Sequence, residues 1–289
     1  MRSDSETELE RSPEARKLAE RALVGLLRGL DGRDVEIIVL GGLVPEILTR
    51  GQEPPVPTHM GTTDVDVLLT AHVTPDLDLA PVETSLKRLD FRPEGDGWKW
   101  RGHVQGRPMK IEFLCDLDGV REHEVVRPPG CTRLGAQNLR GTGYVSRDWA
   151  WETLTTTLPD GETVSIDARF ARLGGYLLSK CVAARTRGAD KDFYDLAYVL
   201  LHNRAGGPAA AAAKIADSSL RDAVPILGST LIEIGERFRG PNAVGPVHFA
   251  QQSLLAEPEA LEAELRADAV AAVAEFLEQL DAKTGFRGG

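Results

Sequence analysis

Cysteine is scarce: Cys115, Cys131 and Cys181 lie far apart among 289 residues, with no paired spacing. That excludes a disulfide framework and a zinc knuckle. The six histidines are dispersed as well, and none forms a His-x-x-x-His pair. No apolar run approaches the roughly 20 residues that a membrane helix needs. The opening Met1-Arg2-Ser3-Asp4-Ser5-Glu6 is polar and acidic, without an apolar signal region, so no membrane association and a cytoplasmic location are expected. A basic excess is missing too. With a net charge of −10 the chain repels nucleic acid on average, and any such contact needs a local basic patch and is salt-sensitive.

What is present is ordinary for a globular protein: 42% apolar and 27% charged residues, at a length that suits two modest domains or one large one. Ser12-Pro13 reads as a helix cap followed by proline in the first turn, and Ala15, Leu18, Ala19, Ala22, Leu23, Leu26, Leu27 and Leu30 continue at helical period. A buried strand is expected at 35–40, a short helix at 43–50 and a proline-rich loop at 52–57. A strand at 63–69 and a helix near 80–90 follow. Strands at 97–104 and 108–115 meet at a turn on Gly106. Further strands are expected near 121–127 and 149–157, with a turn at Pro159-Asp160-Gly161. After about 165 the pattern turns helical, with helices at 172–187, 191–203, from Ala209 onward, and 258–281, the last with Leu261, Leu265, Ala269, Val273, Phe276, Leu277 and Leu280 on one face. No internal repeat is present. The expected architecture is α/β (α+β): a small mixed-sheet core over 1–165, led by a helix, then a helical domain over 166–289.

The chemistry is concentrated in two short stretches. The strand 35–40 runs into Gly41-Gly42, where exposed backbone N–H groups can receive an anion. One strand later comes Gly61-Thr62-Thr63-Asp64-Val65-Asp66-Val67. Alternation puts Thr62, Asp64 and Asp66 on one face, the two carboxylates roughly 6–7 Å apart, while Val65 and Val67 face the core. Like charges at that spacing call for a cation, and magnesium suits carboxylate and phosphate oxygens together. Glu112, inside the apolar run Ile111–Phe113, is a third candidate ligand. Asp116, roughly 13 Å further along the same face, sits at a strand end and ranks lower.

The joint pattern resembles the DNA polymerase β-type nucleotidyltransferase superfamily, in which a glycine pair precedes an Asp-x-Asp strand and a later strand bears a third acid. Leu177–Arg185, with Lys180, Ala184 and Arg185, followed by Lys191-Asp192-Phe193-Tyr194-Asp195-Leu196, resembles the AbiEii/AbiGii toxin group, which includes mycobacterial nucleotidyltransferase toxins. The likeness covers roughly residues 35–200. It implies magnesium, two ions, on Asp64, Asp66 and Glu112, and phosphate cradled by Gly41 and Gly42 with Thr62 and Thr63 beside them. Lys180 is implied on the triphosphate, with Asp192 orienting the site. It further implies transfer of a nucleoside monophosphate from a nucleoside triphosphate to an RNA, such as a tRNA 3′ end, by a toxin held in check by a small antitoxin protein. The chain departs from the pattern at Leu43, Lys191 and Glu112, where relatives more often carry a polar residue, arginine and aspartate.

Two other readings stay open: an aminoglycoside-type enzyme acting on a small cationic acceptor, which the acidic charge suits, and a nucleotide- or partner-binding module without catalysis. Tyr194, Leu196 and Tyr198 are expected in helix packing, and Asp195 as a surface partner for Lys191 at i and i+4. Of Asp192 and Asp195, Asp192 ranks higher for function. Arg127, Arg133, Arg140 and Arg147 read as a solvated face.

Overall fold

The computed structural model describes residues 11–30, 35–70, 78–158 and 161–287. Helix α1 (Pro13–Arg28) begins where its cap dictates, the Ser12 hydroxyl accepting from the Ala15 amide at 3.1 Å. Its stripe from Ala15 through Leu26 is buried and packs on the central strands. Then follow β1 (Ile37–Leu40), α2 (Val44–Thr49), β2 (Asp64–Leu69), α3 (Ala80–Arg88), β3 (Arg92–Glu94), β4 (Lys99–Val104) and β5 (Arg107–Cys115). The two-residue β4–β5 turn has positive φ at both Gln105 and Gly106, the geometry that matches strand twist. Short strands β6 (Val125–Val126) and β7 (Ala136–Asn138) precede the long hairpin of β8 (Trp149–Thr157) and β9 (Thr163–Ala171).

The nine strands among the described residues form one mixed sheet in the order β3-β4-β5-β2-β1-β9-β8, with β7 beside the end of β5 and β6 paired to β7. β2 lies parallel to β5, while β1 is antiparallel to β2 and parallel to β9. Val65, Val67, Ile111 and Phe113 are wholly buried on the face that α1 covers, so Asp64, Asp66, Lys110 and Glu112 share the other. The carboxylates thus face away from the core because their neighbours must face into it.

The helical half comprises α4 (Leu173–Thr186), α5 (Asp190–His202), α6 (Pro208–Ala216), α7 (Ala223–Ile226), α8 (Gly228–Arg237), α9 (Val244–Ala256) and α10 (Glu262–Thr284). α4 packs on α5 and α8, and α10 on α5, α6 and α9. The α+β class is as expected. Several elements differ in extent. The boundary expected at 165/166 falls within β9, which alternates Val164, Ile166, Ala168 and Phe170 and extends the sheet beside β1. The strand expected at 121–127 shortens to two residues, and β7, α8 and α9 are additional. Leu261 is exposed at the start of α10, whereas Ala269, Val273, Phe276, Leu277 and Leu280 are buried. Of the expected turn at 159–161, Pro159 and Asp160 lie outside the described residues. Next to them, the Leu158 amide donates to the Glu162 carbonyl and closes the hairpin. Among the described residues, no helix is long and apolar enough to cross a membrane.

One buried carboxylate fixes the loop that leads into β7. Glu83 on α3 accepts from the amides of Thr132, Arg133 and Leu134 at 2.8–3.0 Å and from the Thr132 hydroxyl at 2.7 Å, with the Lys87 ammonium at 2.5 Å. Burial by itself would raise its pKa, but these donors and Lys87 outweigh it and hold the carboxyl well below the usual range. A depressed acid stabilises the fold above its unfolded pKa and loses that contribution as pH falls. Glu83→Gln should therefore cost about 1–3 kcal/mol at pH 7, and the deficit should shrink as pH drops below 4.5. Denaturant titrations of both proteins across pH 3–7 measure it.

Candidate active site

β1 ends in a single 3-10 turn, Gly41–Leu43, whose first residue lies across from β2. Gly41 has φ +76°, and a Cβ there would fall 1.9 Å from Asp66 Oδ2. A Cβ on Gly42 would fall 2.4 Å from the Thr62 Cβ. The glycine pair is thus required by close approach to β2. Leu43 is buried and does not line the cleft, so the apolar residue at this position packs in the core.

Asp66 and Glu112 are direct register partners on parallel neighbouring strands, as are Asp64 and Lys110. Each outer carboxylate carries a lysine: Lys110 Nζ stands 3.2 Å from Asp64 Oδ1, and Lys99 Nζ, from β4, stands 3.1 Å from Glu112 Oε1. Lys191 approaches Asp64 Oδ2 at 3.9 Å, and the Thr63 hydroxyl donates to Asp64 Oδ1 at 3.2 Å. The Thr62 hydroxyl is turned to the Asp64 backbone. Asp66 lies between the other two acids. Burial, then Glu112 and Asp64, push its pKa up to about 6 against the pull of Lys191 and Lys180. Asp116 is absorbed elsewhere, accepting from the amides of Gly141 and Gly143 and from Arg140.

Lys180 on α4 is buried, with Nζ 2.7 Å from Asp195 Oδ2 and 3.2 Å from Asp192 Oδ1. Burial opposes its charge, but Asp195 and Asp192 outweigh it and raise its pKa. Asp192 also receives Arg187 Nη2 at 2.9 Å. Asp195 corrects the sequence reading: it is buried, and Lys191 turns to Asp64 instead. Asp195 collects Arg11 Nη2 at 2.7 Å, His59 Nε2 at 3.0 Å and Lys180. His59 Nδ1 accepts from the Gly61 amide, so Nε2 carries the proton given to Asp195. Burial lowers the His59 pKa despite that carboxylate, and the ring sits between Tyr194 and Tyr198. For Asp195, burial would raise the pKa, but Lys180 and Arg11 hold it well below the carboxylate range.

A cleft joins these groups. Gly41, Gly42, Thr62, Thr63, Asp64 and Asp66 form one wall, and Tyr176, Lys180, Arg187 and Lys191 the other. Asp195, Arg11 and Arg140 also reach it. Glu112 does not line the cleft and acts on it through Asp66. Asp192 stands behind Lys180. Of the four arginines read as solvated, Arg127 binds the Thr132 carbonyl and Arg147 binds Asp222. Among the described residues, no three His, Cys, Asp or Glu side chains already converge as metal ligands. The fit to a hard cation lies in the all-carboxylate donor set and in the repulsion that crowds Asp66, which a divalent ion relieves. No family model, curated protein or solved structure matches the chain.

The raised pKa of Asp66 has a stability consequence. Between 3.8 and about 6 the folded chain binds the proton more tightly than the unfolded one, so stability falls as pH rises through that window. Asp66→Asn should stabilise the metal-free protein by about 2 kcal/mol at pH 7.5. The gain should disappear toward pH 4. Chemical denaturation in chelator at both pH values reads the difference.

Proposed function

We propose that the chain is a magnesium-dependent nucleotidyltransferase of the DNA polymerase β type, which moves a nucleoside monophosphate from a nucleoside triphosphate to an acceptor hydroxyl. The observation that carries this reading is the placing of Asp64, Asp66 and Glu112 on two adjacent parallel strands beside a glycine turn, opposite a cationic wall. Asp64 and Asp66, which line the cleft, would hold magnesium, with Glu112 beside Asp66 on β5 as the third carboxylate of the set, and the ion would supply charge neutralisation at the phosphoryl oxygens and a more acidic acceptor hydroxyl. Gly41 and Gly42 keep the turn free of side chains, so a polyphosphate can approach the backbone. Thr63 orients Asp64, and Lys110 and Lys99 pair with the outer carboxylates Asp64 and Glu112. Lys180, kept cationic by Asp192 and Asp195, offsets charge on the departing pyrophosphate. The protein contributes positioning and electrostatics rather than a covalent step.

By the same resemblance, the acceptor is RNA, such as a tRNA 3′ end, and the chain acts as a toxin opposed by a small antitoxin. The test uses the four labelled triphosphates separately, with total cellular RNA and with an aminoglycoside panel. Label should enter RNA only with magnesium present, and Asp64→Ala should lower the rate roughly a hundredfold to a thousandfold or more while melting as the parent does. Label on the aminoglycosides alone would assign a small-molecule acceptor. Nucleotide binding with no labelled product would leave a binding module.

A further inference from the structure

Two residues that line the cleft each carry a buried donor atom with no hydrogen-bond partner among the described residues, Arg11 Nη1 and the Tyr176 hydroxyl; Asp192 Oδ2, an acceptor behind Lys180, is also unpartnered but does not line the cleft. Arg11 precedes α1, and its guanidinium is fixed from three sides. Nε donates to the Gly61 carbonyl at 2.8 Å and Nη2 to Asp195 Oδ1 at 2.7 Å, and the group lies 5.5 Å from the Tyr194 ring centroid. Nη1 is buried and makes no hydrogen bond. Tyr176, on α4, is 1% exposed, and its hydroxyl is also buried without a partner. Both residues line the cleft that holds Gly41 and Asp66.

A buried donor left unmade is costly, and such groups are rare in native proteins unless an ion, water or ligand completes them. We propose that Arg11 and Tyr176 form an anion subsite at the inner end of the cleft, which takes the terminal phosphates of a polyphosphate substrate. The anion's identity rests on the nucleotidyltransferase reading, while the subsite itself rests on the two orphaned donors.

Chemistry selects an anion over a cation or an apolar group. A guanidinium nitrogen can only donate. The Tyr176 hydroxyl is kept protonated first by burial and then by Asp195, whose negative charge disfavours a phenolate. Local charge agrees. Arg11, Lys180 and Arg187 are three cations bound to two carboxylates, Asp192 and Asp195, since His59 is neutral. One positive charge is left over, with Arg11 and Lys180 mostly buried and Arg187 half-exposed. Tyr176, Arg11 and Asp66 line one cleft, so a chain of phosphates starting at Asp66 would reach Tyr176 and Arg11 without leaving it. The Lys180 ammonium, 5.6 Å from the Tyr176 ring centroid, flanks the same path.

The subsite predicts an unusual pair of effects for Tyr176→Phe. Deleting a hydroxyl that has no protein partner should leave the melting temperature of the ligand-free protein unchanged or raise it. The same change should weaken binding of sodium tripolyphosphate, measured calorimetrically on the full chain in chelator, by about tenfold, the scale of a hydrogen bond to a charged group. Arg11→Gln should weaken it by at least as much, and the Michaelis constant for nucleoside triphosphate should rise in parallel with little change in kcat. Tripolyphosphate binding within twofold of the parent in Tyr176→Phe overturns the subsite. So does a clear fall in its ligand-free melting temperature, which would show the hydroxyl already engaged by protein. Tyr176→Phe carries the test alone if Arg11→Gln does not fold. The two readings fail separately. Nucleotide transfer with unaltered constants in Tyr176→Phe removes the subsite and keeps the enzyme. Tripolyphosphate affinity lost in the variant, with no acceptor labelled by the parent, keeps the subsite and removes the transferase.

Discussion

The buried carboxylate of Asp195 gathers side chains from both halves of the chain at the cleft. It draws Arg11 from the approach to α1, His59 from the loop before β2, and Lys180 from α4, each within 3.0 Å. These contacts span sequence separations of 184, 136 and 15 residues, so one side chain links the N-terminal approach to α1, the loop before β2 and α4. A buried ion cluster contributes little net stability over an apolar one, but breaking it strands an uncompensated charge. Its worth here is in specification, since it sets the distance between the sheet wall and the helical wall.

On the sheet wall the forces run the other way. Asp66 lies beside Glu112, Asp64 and the backbone of Gly41, and burial, then the charges of Glu112 and Asp64, drive its carboxyl up to about 6. Nothing in the packing requires an acid at this position, because Val65 and Val67 supply the core contacts of β2. The fold carries a locally unfavourable charge next to a turn that only glycine can make. An unfavourable charge of this kind, held in place by well-packed neighbours, is the feature on which the proposed metal site rests.

Much of this was legible in the sequence where local rules apply. The Ser12 cap, the period-two alternation of Asp64 to Val67, and the Gln105-Gly106 turn follow from chain neighbours alone. β9 was missed because a helical expectation was drawn from residues after 165, although Val164, Ile166, Ala168 and Phe170 alternate as a strand. The partnership of Asp66 with Glu112 depends on register between strands 46 residues apart, which no local pattern encodes. Asp195 was read as a surface ion-pair partner from its spacing to Lys191. That rule describes exposed helices, whereas α5 is buried on most sides. Arg11 carries no sequence signal whatever, since its role exists only once the chain folds back on α5.

The net charge of −10 and the cationic helical wall of the cleft are two parts of one electrostatic arrangement. At physiological ionic strength, exposed acids more than about 8 Å away are largely screened, while Lys180, Asp192 and Asp195 sit in a low-dielectric interior where screening is weak. On the proposed reading, an incoming polyphosphate would meet mainly the local field of Lys180, Arg187, Lys191 and Arg11. A long polyanionic acceptor would be different, because most of it would lie outside the cleft, against a chain of net charge −10. Any RNA bound here would be held by its reacting end, with the remainder tolerated rather than gripped. Raising salt would then weaken the outer repulsion as well as the inner attraction, and RNA affinity should vary less with ionic strength than it does for a protein that reads phosphates along a basic groove.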